Sequence, residues 1–189
     1  MTEPESFWAG SAFEPRWAGS PGQRTPASAA EIRAITDQVD PLVAGFWQRY
    51  GWGPLAGGFL VLAPPAVLAA RYAAWPLPDA AIPLLRSAWG HLFVMRGDRS
   101  WLLDPLYGGV HDMGCDAVNV LDALLVSPGF LRDTLLLDLY TAATARIGRT
   151  PGPEEVACFI PALALGGERH ARQVELRPLA ATLDLLAQL

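Results

Sequence analysis

The chain has 189 residues, about half of them apolar, and a formal net charge of -5 at pH 7. This length allows one domain or two small, closely packed domains, and the apolar content is sufficient for a substantial core. The negative charge is compatible with a basic protein partner and argues against a nucleic-acid-binding protein, because affinity for the phosphate backbone needs clustered positive charge.

The first 27 residues are rich in Pro, Gly and Ser and carry scattered aromatic residues. We expect an extended N-terminal arm over residues 1–27. Disordered tails seldom carry aromatic side chains, so we also expect the arm to pack onto the body of the protein. The aromatic residues concerned are Phe7, Trp8, Phe13 and Trp17.

No segment has the pattern of a signal peptide or a membrane span. The first ten residues lack a basic region and an apolar stretch, and the longest apolar run, residues 59–70, contains two prolines. That run is also shorter than the ~20 residues needed to cross a bilayer. We therefore expect a soluble, cytoplasmic protein that does not contact a membrane.

Two helix starts follow the arm. Ser28 and Glu31 have the spacing of a capping box, which predicts a short helix. Asp40 followed by Pro41 is a second helix start, since Asp is a good N-cap and Pro suits the first helical position. Apolar residues then recur at helical spacing until Gly51, where we expect the helix to end.

The middle of the chain combines strands with one helix. We predict strands over residues 59–63 and 82–87, with a helix over residues 65–75 between them. Residues 91–110 alternate between apolar runs and turns, which is typical of a β-meander. Gly97-Asp98 is the expected hairpin turn of this meander.

From about residue 114, strands give way to helices. We predict helices over residues 118–125 and 128–147 and from Pro178 to the end, whereas residues 156–165 suit either a strand or a loop. The expected fold class is α+β. We expect an α+β domain over residues 28–113, with a small antiparallel β-meander and flanking helices, packed against a smaller, mainly helical domain over residues 114–189.

The sequence lacks a GxSxG elbow, a CxxC pair and a glycine-rich phosphate loop. His111, Asp112, Cys115 and Asp116 lie close together and could supply a thiol–imidazole pair or a metal site. They also suit an irregular turn in which the small Cys fills a gap, and we favour this interpretation. We therefore expect no catalytic residue, no metal and no cofactor. His91, before an apolar strand, is expected to be a hydrogen-bonded histidine at a strand edge.

An acidic interval separates Arg99 from Arg132, with four aspartates and no basic residue between them. Aspartates beside aromatic residues suit a docking surface for a basic partner, because aromatic anchors provide affinity and charge speeds association. The same aspartates could instead form turns and helix caps. The candidate partner-binding residues are Asp98, Trp101, Asp104, Tyr107, Asp112 and Asp116.

Several stretches together resemble a known family, from about residue 28 to the end. Residues 40–53, DPLVAGFWQRYGWG, and then Gly58-Phe59-Leu60 resemble the opening of the GAD-like domain. Residues 82–93 and Leu103-Asp104-Pro105 resemble its central strands. FIPALALGG at residues 159–167, together with residues 185–189, resembles the small C-terminal domain that accompanies it.

Proteins with this pairing include immunity proteins of the bacterial type VI secretion system, which bind nuclease toxins, notably DNases. The resemblance implies a GAD-like N-terminal part and an inhibitor that caps or distorts the active site of a cognate DNase toxin in a one-to-one complex, without touching nucleic acid itself. It supplies no partner-contact residues. Two alternatives stay open: a regulatory adaptor of the same fold, and a metal- or thiol-dependent enzyme built on His111 and Cys115.

Overall fold

The computed structural model of this chain describes residues 4–18 and 24–189. Its architecture is α+β, with a six-stranded antiparallel sheet and a separate two-stranded antiparallel sheet. The strands are β1 (Gly53–Leu55), β2 (Leu60–Leu62), β3 (Ile82–Ser87), β4 (Leu92–Arg96), β5 (Arg99–Asp104), β6 (Gly109–Asp112), β7 (Glu155–Phe159) and β8 (Val174–Pro178). The α-helices are α1 (Pro4–Ala9), α2 (Ala29–Arg33), α3 (Pro41–Tyr50), α4 (Pro65–Arg71), α5 (Ala117–Asp122), α6 (Leu137–Ile147) and α7 (Leu179–Leu186).

The six-stranded sheet is a meander in which β1 to β6 lie side by side in chain order. The predicted strand over residues 82–87 is confirmed as β3, and the predicted Gly97-Asp98 hairpin joins β4 to β5. Helix α4 is shorter than predicted, because the chain leaves helical geometry at Tyr72 and prolines follow at positions 76 and 78.

Apolar side chains cover both faces of this sheet. Phe93 and Met95 of β4 belong to a large cluster that includes residues of α3, α5 and α6. The alternate residues Leu92 and Val94 belong to a smaller cluster with residues of α4, α7 and β7. Because successive side chains of a strand point to opposite faces, β4 contributes to both clusters. Exposed charged groups of the sheet are therefore found mainly at its turns.

The N-terminal segment is helical where an extended arm was expected. Residues 4–9 form α1, and Glu14–Ala18 form a short π-helical turn. The predicted packing of its aromatic residues onto the body is confirmed: Trp8 and Phe13 are fully buried, and the indole N–H groups of Trp8 and Trp17 donate to distant backbone carbonyls. These tertiary contacts fix a helical geometry that composition alone did not indicate. The rest of the predicted arm, residues 1–3 and 19–23, lies outside the described residues.

The predicted helix starts are confirmed. The Ser28 N–H donates to Glu31 Oε2 at 2.8 Å, and the Glu31 N–H donates to Ser28 Oγ at 3.2 Å, so the capping box closes in both directions. Asp40 caps α3 by accepting the N–H of Leu42 at 2.7 Å.

Gly51 ends α3 as predicted, with a φ of +67° and a ψ of -159°. This combination is essentially restricted to glycine. It brings the chain against Thr25, whose N–H and C=O exchange 2.7 Å hydrogen bonds with Trp52. A Cβ at Gly51 would lie 2.4 Å from the Thr25 carbonyl oxygen. Gly51 therefore joins the end of α3 to the segment that leads into α2.

The C-terminal part is less helical than expected. The predicted helix over residues 128–147 is interrupted by the left-handed Leu136, so that only α6 continues to Gly148. Residues 155–159 form β7, which pairs with the unpredicted strand β8. Elements after residue 114 contribute to both apolar clusters and so cover both faces of the meander. Within the described ranges, no helix combines the length and apolarity needed to cross a bilayer.

Candidate functional site

Three turns at one end of the sheet border an open cleft of about 380 Å³. Its walls are residues 37–40 before α3, the end of β4 with its hairpin turn, and the start of α5. Four carboxylates line it, and none of its described lining residues is basic. They are Asp37, Asp40, Asp98 and Asp116, and we refer to this feature as the acidic cleft.

Two of these carboxylates are helix caps. Asp40 accepts the Leu42 N–H at the start of α3, and Asp116 Oδ1 accepts the Asn119 N–H at 2.8 Å at the start of α5. A carboxylate at a helix N-terminus is stabilised by the helix dipole and by the otherwise unpaired N–H groups. Capping therefore holds both charges in a fixed orientation at the wall of the cleft.

The other two carboxylates are exposed and unpaired. Asp37 lies in the 3₁₀ turn Thr36–Gln38, and Asp98 lies in the β4–β5 turn. Among the described residues, neither side chain has a hydrogen bond or an ion pair. The floor between them contains the buried apolar residues Val39 and Met95. The acidic cleft thus presents two fixed and two free carboxylates around an apolar floor.

The structure divides the six predicted partner-binding residues among different places. Asp98 and Asp116 lie in the acidic cleft. Trp101 is only 9% exposed and belongs to the smaller apolar cluster, with the guanidinium groups of Arg96 and Arg99 over its ring. In this conformation Trp101 therefore offers little exposed surface as an anchor.

Asp104 stabilises the turn after β5 by accepting the Leu106 N–H at 2.9 Å. Its Oδ1 also lies 3.4 Å from Nε2 of His91. Burial by itself would raise the pKa of Asp104, but nearby His91 and the backbone N–H groups of Leu106 and Tyr107 outweigh burial and hold the pKa below its ordinary value. Asp104 is thus a turn former with little exposed side chain.

The expected edge position of His91 is wrong, because its side chain is completely buried. Its Nδ1 lies 2.9 Å from the Ser87 hydroxyl, which also accepts the N–H groups of Trp89 and His91. Ser87, His91 and Asp104 therefore form a polar chain of the residue types found in hydrolytic triads, although Nε2 of His91 has no hydrogen-bond partner among the described residues. Ser87 is also fully buried, so this hydroxyl cannot meet a substrate in the present conformation. The chain instead joins β3, β4 and the turn after β5.

Tyr107 and Asp112 interact with arginines on other segments. Tyr107 is 49% exposed, and Arg169 donates to its hydroxyl and lies over its ring. Asp112 accepts the Gly114 N–H at 2.9 Å and pairs with Arg99. The hydrogen bond from Gly114 has the larger effect and the contact with Arg99 the next, and both lower the pKa of Asp112. The charge of Asp112 is therefore already compensated within the protein.

The His111–Cys115 cluster has the opposite electrostatics to a reactive thiol site. Burial raises the pKa of Cys115, and the charges of Asp116 and Asp112 raise it further. A nucleophilic cysteine needs a lowered pKa, because the thiolate is the reactive form. Within the described part of the chain, no hydrogen bond joins His111 to Cys115, and no group of three or more His, Cys, Asp or Glu side chains is placed to hold a metal ion.

Sequence reasoning missed Asp37 and Asp40 as members of the site. Asp40 was identified as a helix cap, but local spacing could not place it opposite Asp98 and Asp116, which lie far along the chain. The available signal was the motif TDQVDP, with two aspartates at a helix start. Recognising the cleft required the tertiary packing of α3 and α5 beside the sheet.

No family model and no curated protein matches this sequence. A solved structure is similar to it: the crystal structure of Atu4351 from Agrobacterium tumefaciens, with 16% sequence identity and a TM-score of 0.71. The similarity covers 93% of this chain and 86% of that chain. The two chains therefore share a fold over nearly their whole lengths.

Proposed function

We propose that this protein is an immunity protein that binds a type VI secretion nuclease toxin, notably a DNase, in a one-to-one complex through the acidic cleft. The observation that carries the proposal is the convergence of four carboxylates, without a basic lining residue, on one open cleft. The resemblance of residues 40–53 and 159–167 to GAD-like immunity proteins supports it. On this basis we also infer a GAD-like N-terminal part and a cytoplasmic location.

The charge of the cleft suits the partner chemically. A nuclease binds the phosphate backbone through clustered Lys and Arg side chains, so its substrate-binding surface is basic. Carboxylates that approach this surface compete with DNA phosphates for the same cations, and Arg–carboxylate pairs provide strong, directional hydrogen bonds. Inhibition by occupation of the DNA-binding surface requires no chemical step by the inhibitor.

The two kinds of carboxylate have different roles in this mechanism. Asp40 and Asp116 are held by their helix caps, so their positioning for a partner cation costs little additional conformational entropy. Asp37 and Asp98 are free to reorient toward cations of the partner. A cleft of about 380 Å³ accommodates only a few side chains, so the interface extends beyond it to the usual size of about 800 Å² per partner.

The test uses the product of the gene adjacent to the one that encodes this chain. We expect a stable one-to-one complex, inhibition of its nuclease activity, and rescue of cells that express it. The double variant Asp37→Asn/Asp98→Asn should reduce the association rate constant about tenfold at low salt and weaken its dependence on salt, because steering by charge acts mainly on association. Folding should be unaffected, since neither side chain bonds to a described residue.

The control is the double variant Asp79→Asn/Asp184→Asn, which changes the net charge equally at exposed sites outside the acidic cleft. Equal association rates for the two double variants would exclude the cleft as the docking surface. If the unaltered protein neither bound nor inhibited the adjacent gene product, the immunity proposal itself would be refuted. Tight binding without any rescue of the cells would favour a regulatory adaptor instead.

A further inference from the structure

A second pocket, of about 250 Å³, lies on the other side of the sheet edge, between β1–β2, α4 and the start of α7. We call it the arginine pocket, because two arginines line it. Arg86 is 1% exposed, whereas Arg71 is half-buried. Apolar lining side chains include Val61, Leu62, Val67 and Leu179. The pocket therefore combines a buried cation with an apolar wall.

The buried guanidinium of Arg86 is held only by neutral acceptors. Its Nη1 donates to the Ser87 carbonyl at 3.1 Å, and its Nη2 donates to the carbonyls of Pro153 at 2.7 Å and Glu155 at 3.3 Å. No carboxylate of the described residues lies within ion-pair distance of it. Burial lowers the pKa of Arg86, which reflects the cost of removing the charge from water.

These bonds fasten the segment before β7 to β3, but they leave part of the guanidinium unused. An arginine carries five N–H donors in a planar fork, and the three carbonyl bonds of Arg86 occupy only some of them. Buried charges in proteins are usually paired with an opposite charge, because an unpaired ion in a low-dielectric region is costly. The carboxylate of Glu154 acts on Arg86 only from beyond ion-pair distance and is itself paired with Arg71. An anion in the pocket would supply a negative charge bonded directly to Arg86.

The more exposed part of the pocket contains an ion pair. Arg71 Nη2 lies 2.7 Å from Glu154 Oε2, with side-chain exposures of 38% and 64%. Exposed pairs of this kind contribute little free energy and exchange partners readily. Arg71 can therefore turn from Glu154 toward an incoming anion and become its second cation.

We propose that the arginine pocket binds a small organic carboxylate, whose carboxylate group pairs with Arg86 and whose short apolar part packs against Val61 and Val67. The guanidinium fork suits a planar carboxylate, and the apolar lining favours a ligand with a hydrocarbon portion over an inorganic anion. This site is separate from the acidic cleft and does not depend on the proposed immunity function.

The test is a titration of the full chain with sodium butyrate, followed by ¹H–¹⁵N NMR that includes the side-chain Nε–H resonance of Arg86. We expect saturable shifts at Arg86, Arg71 and Val67. Butyramide, the neutral counterpart, should bind at least about tenfold more weakly, since the loss of a charge-assisted bond of about 1.5 kcal/mol corresponds to that factor. Sodium chloride at equal ionic strength should give no saturable shift.

Two variants make the result specific to the pocket. Arg86→Gln should abolish binding, but it also removes carbonyl contacts and can destabilise the fold. Val67→Phe avoids this difficulty, because Val67 is exposed and bulk at this position fills the pocket. It should weaken butyrate binding at least tenfold by the loss of about 1.4 kcal/mol, whereas Ala69→Phe, on the exposed surface of the same helix, should not.

The proposal is overturned by any of three outcomes: no saturable butyrate shift, equal binding of butyramide, or undiminished binding by the Val67→Phe variant. Saturation by inorganic phosphate with no response to butyrate would also overturn it, because the ligand class would then be wrong. Saturable butyrate binding that is lost in Val67→Phe and kept in Ala69→Phe supports it.

Discussion

Replacement of Trp8 by alanine tests whether the N-terminal helix belongs to the cooperative fold. Trp8 is fully buried, and its indole N–H donates to the Leu42 carbonyl at 2.6 Å. Its ring makes edge-to-face contacts with Phe7 and Phe46, each with ring centroids 5.0 Å apart. The side chain thus connects α1 to α3, the helix that Asp40 caps.

The expected cost follows from these contacts. Truncation of a buried aromatic residue to alanine typically lowers the free energy of unfolding by about 3–5 kcal/mol. The variant Trp8→Phe keeps a ring but loses the N–H donor to Leu42, so it should cost about 1–2 kcal/mol, with the hydrogen bond as the main part. Phe7→Ala, at the half-buried neighbouring position, should cost less than Trp8→Ala because less apolar surface is lost.

The measurement is urea unfolding of the full chain, followed by far-ultraviolet circular dichroism and by fluorescence. The urea midpoint should be lowered most by Trp8→Ala and less by Phe7→Ala and Trp8→Phe. The two probes should give coincident transitions, and the slope of the unfolding free energy against urea concentration should stay nearly constant. A loss below about 1 kcal/mol for Trp8→Ala would refute the reasoning, since such a value is typical of an exposed substitution. Residues 4–18 would then unfold independently of the sheet.

Two further predictions concern the pH dependence of stability and the end of α3. The folded-state pKa of Asp104 is lowered, so its ionised form stabilises the fold above the ordinary value of 3.8, and this contribution is lost as the pH falls through the lower folded pKa. Asp104→Asn should therefore flatten the decline of the urea midpoint between pH 5 and 3 (about one unit on either side of that value). If the midpoint of the variant declined with pH in parallel with that of the unaltered protein, the role of His91 would be contradicted. Gly51→Ala should lower the free energy of unfolding by about 3 kcal/mol or more, because it adds a clash with the Thr25 carbonyl to a conformation that alanine disfavours. Gly57→Ala, also at positive φ but with open space around its Cβ, should cost only about 1–2 kcal/mol in the same assay, and equal losses at the two positions would show that the close approach at Thr25 is unimportant.

The elements that were predicted correctly have their signals within a few residues. The capping box of Ser28 and Glu31 and the cap at Asp40 act through the adjacent backbone N–H groups, so the sequence alone identifies them. The same holds for the Gly97-Asp98 hairpin, whose turn chemistry is local.

The elements that were missed depend on distant partners. As a tryptophan beside aspartates, Trp101 suits an exposed anchor. Its strand is covered on both faces, so the sequence lacks the alternation of apolar and polar residues that would have shown which side chains are buried. Strand β8 is only five residues long and is defined by its pairing with β7. The acidic cleft could not be predicted for a related reason, since Asp37 and Asp98 approach one another only after α3 packs beside the sheet.

The chain-order arrangement of the meander has a consequence for synthesis on the ribosome. Each strand from β2 to β6 pairs with the strand made just before it, so the sheet can assemble progressively and is complete once residue 112 has emerged. The two faces of the sheet are still not fully covered at that point. One face is completed by α5 and α6, and the other by β7 and α7. A nascent chain that pauses after β6 exposes apolar surface around Leu92 and Phe93, which makes it prone to aggregation and dependent on chaperones at this stage.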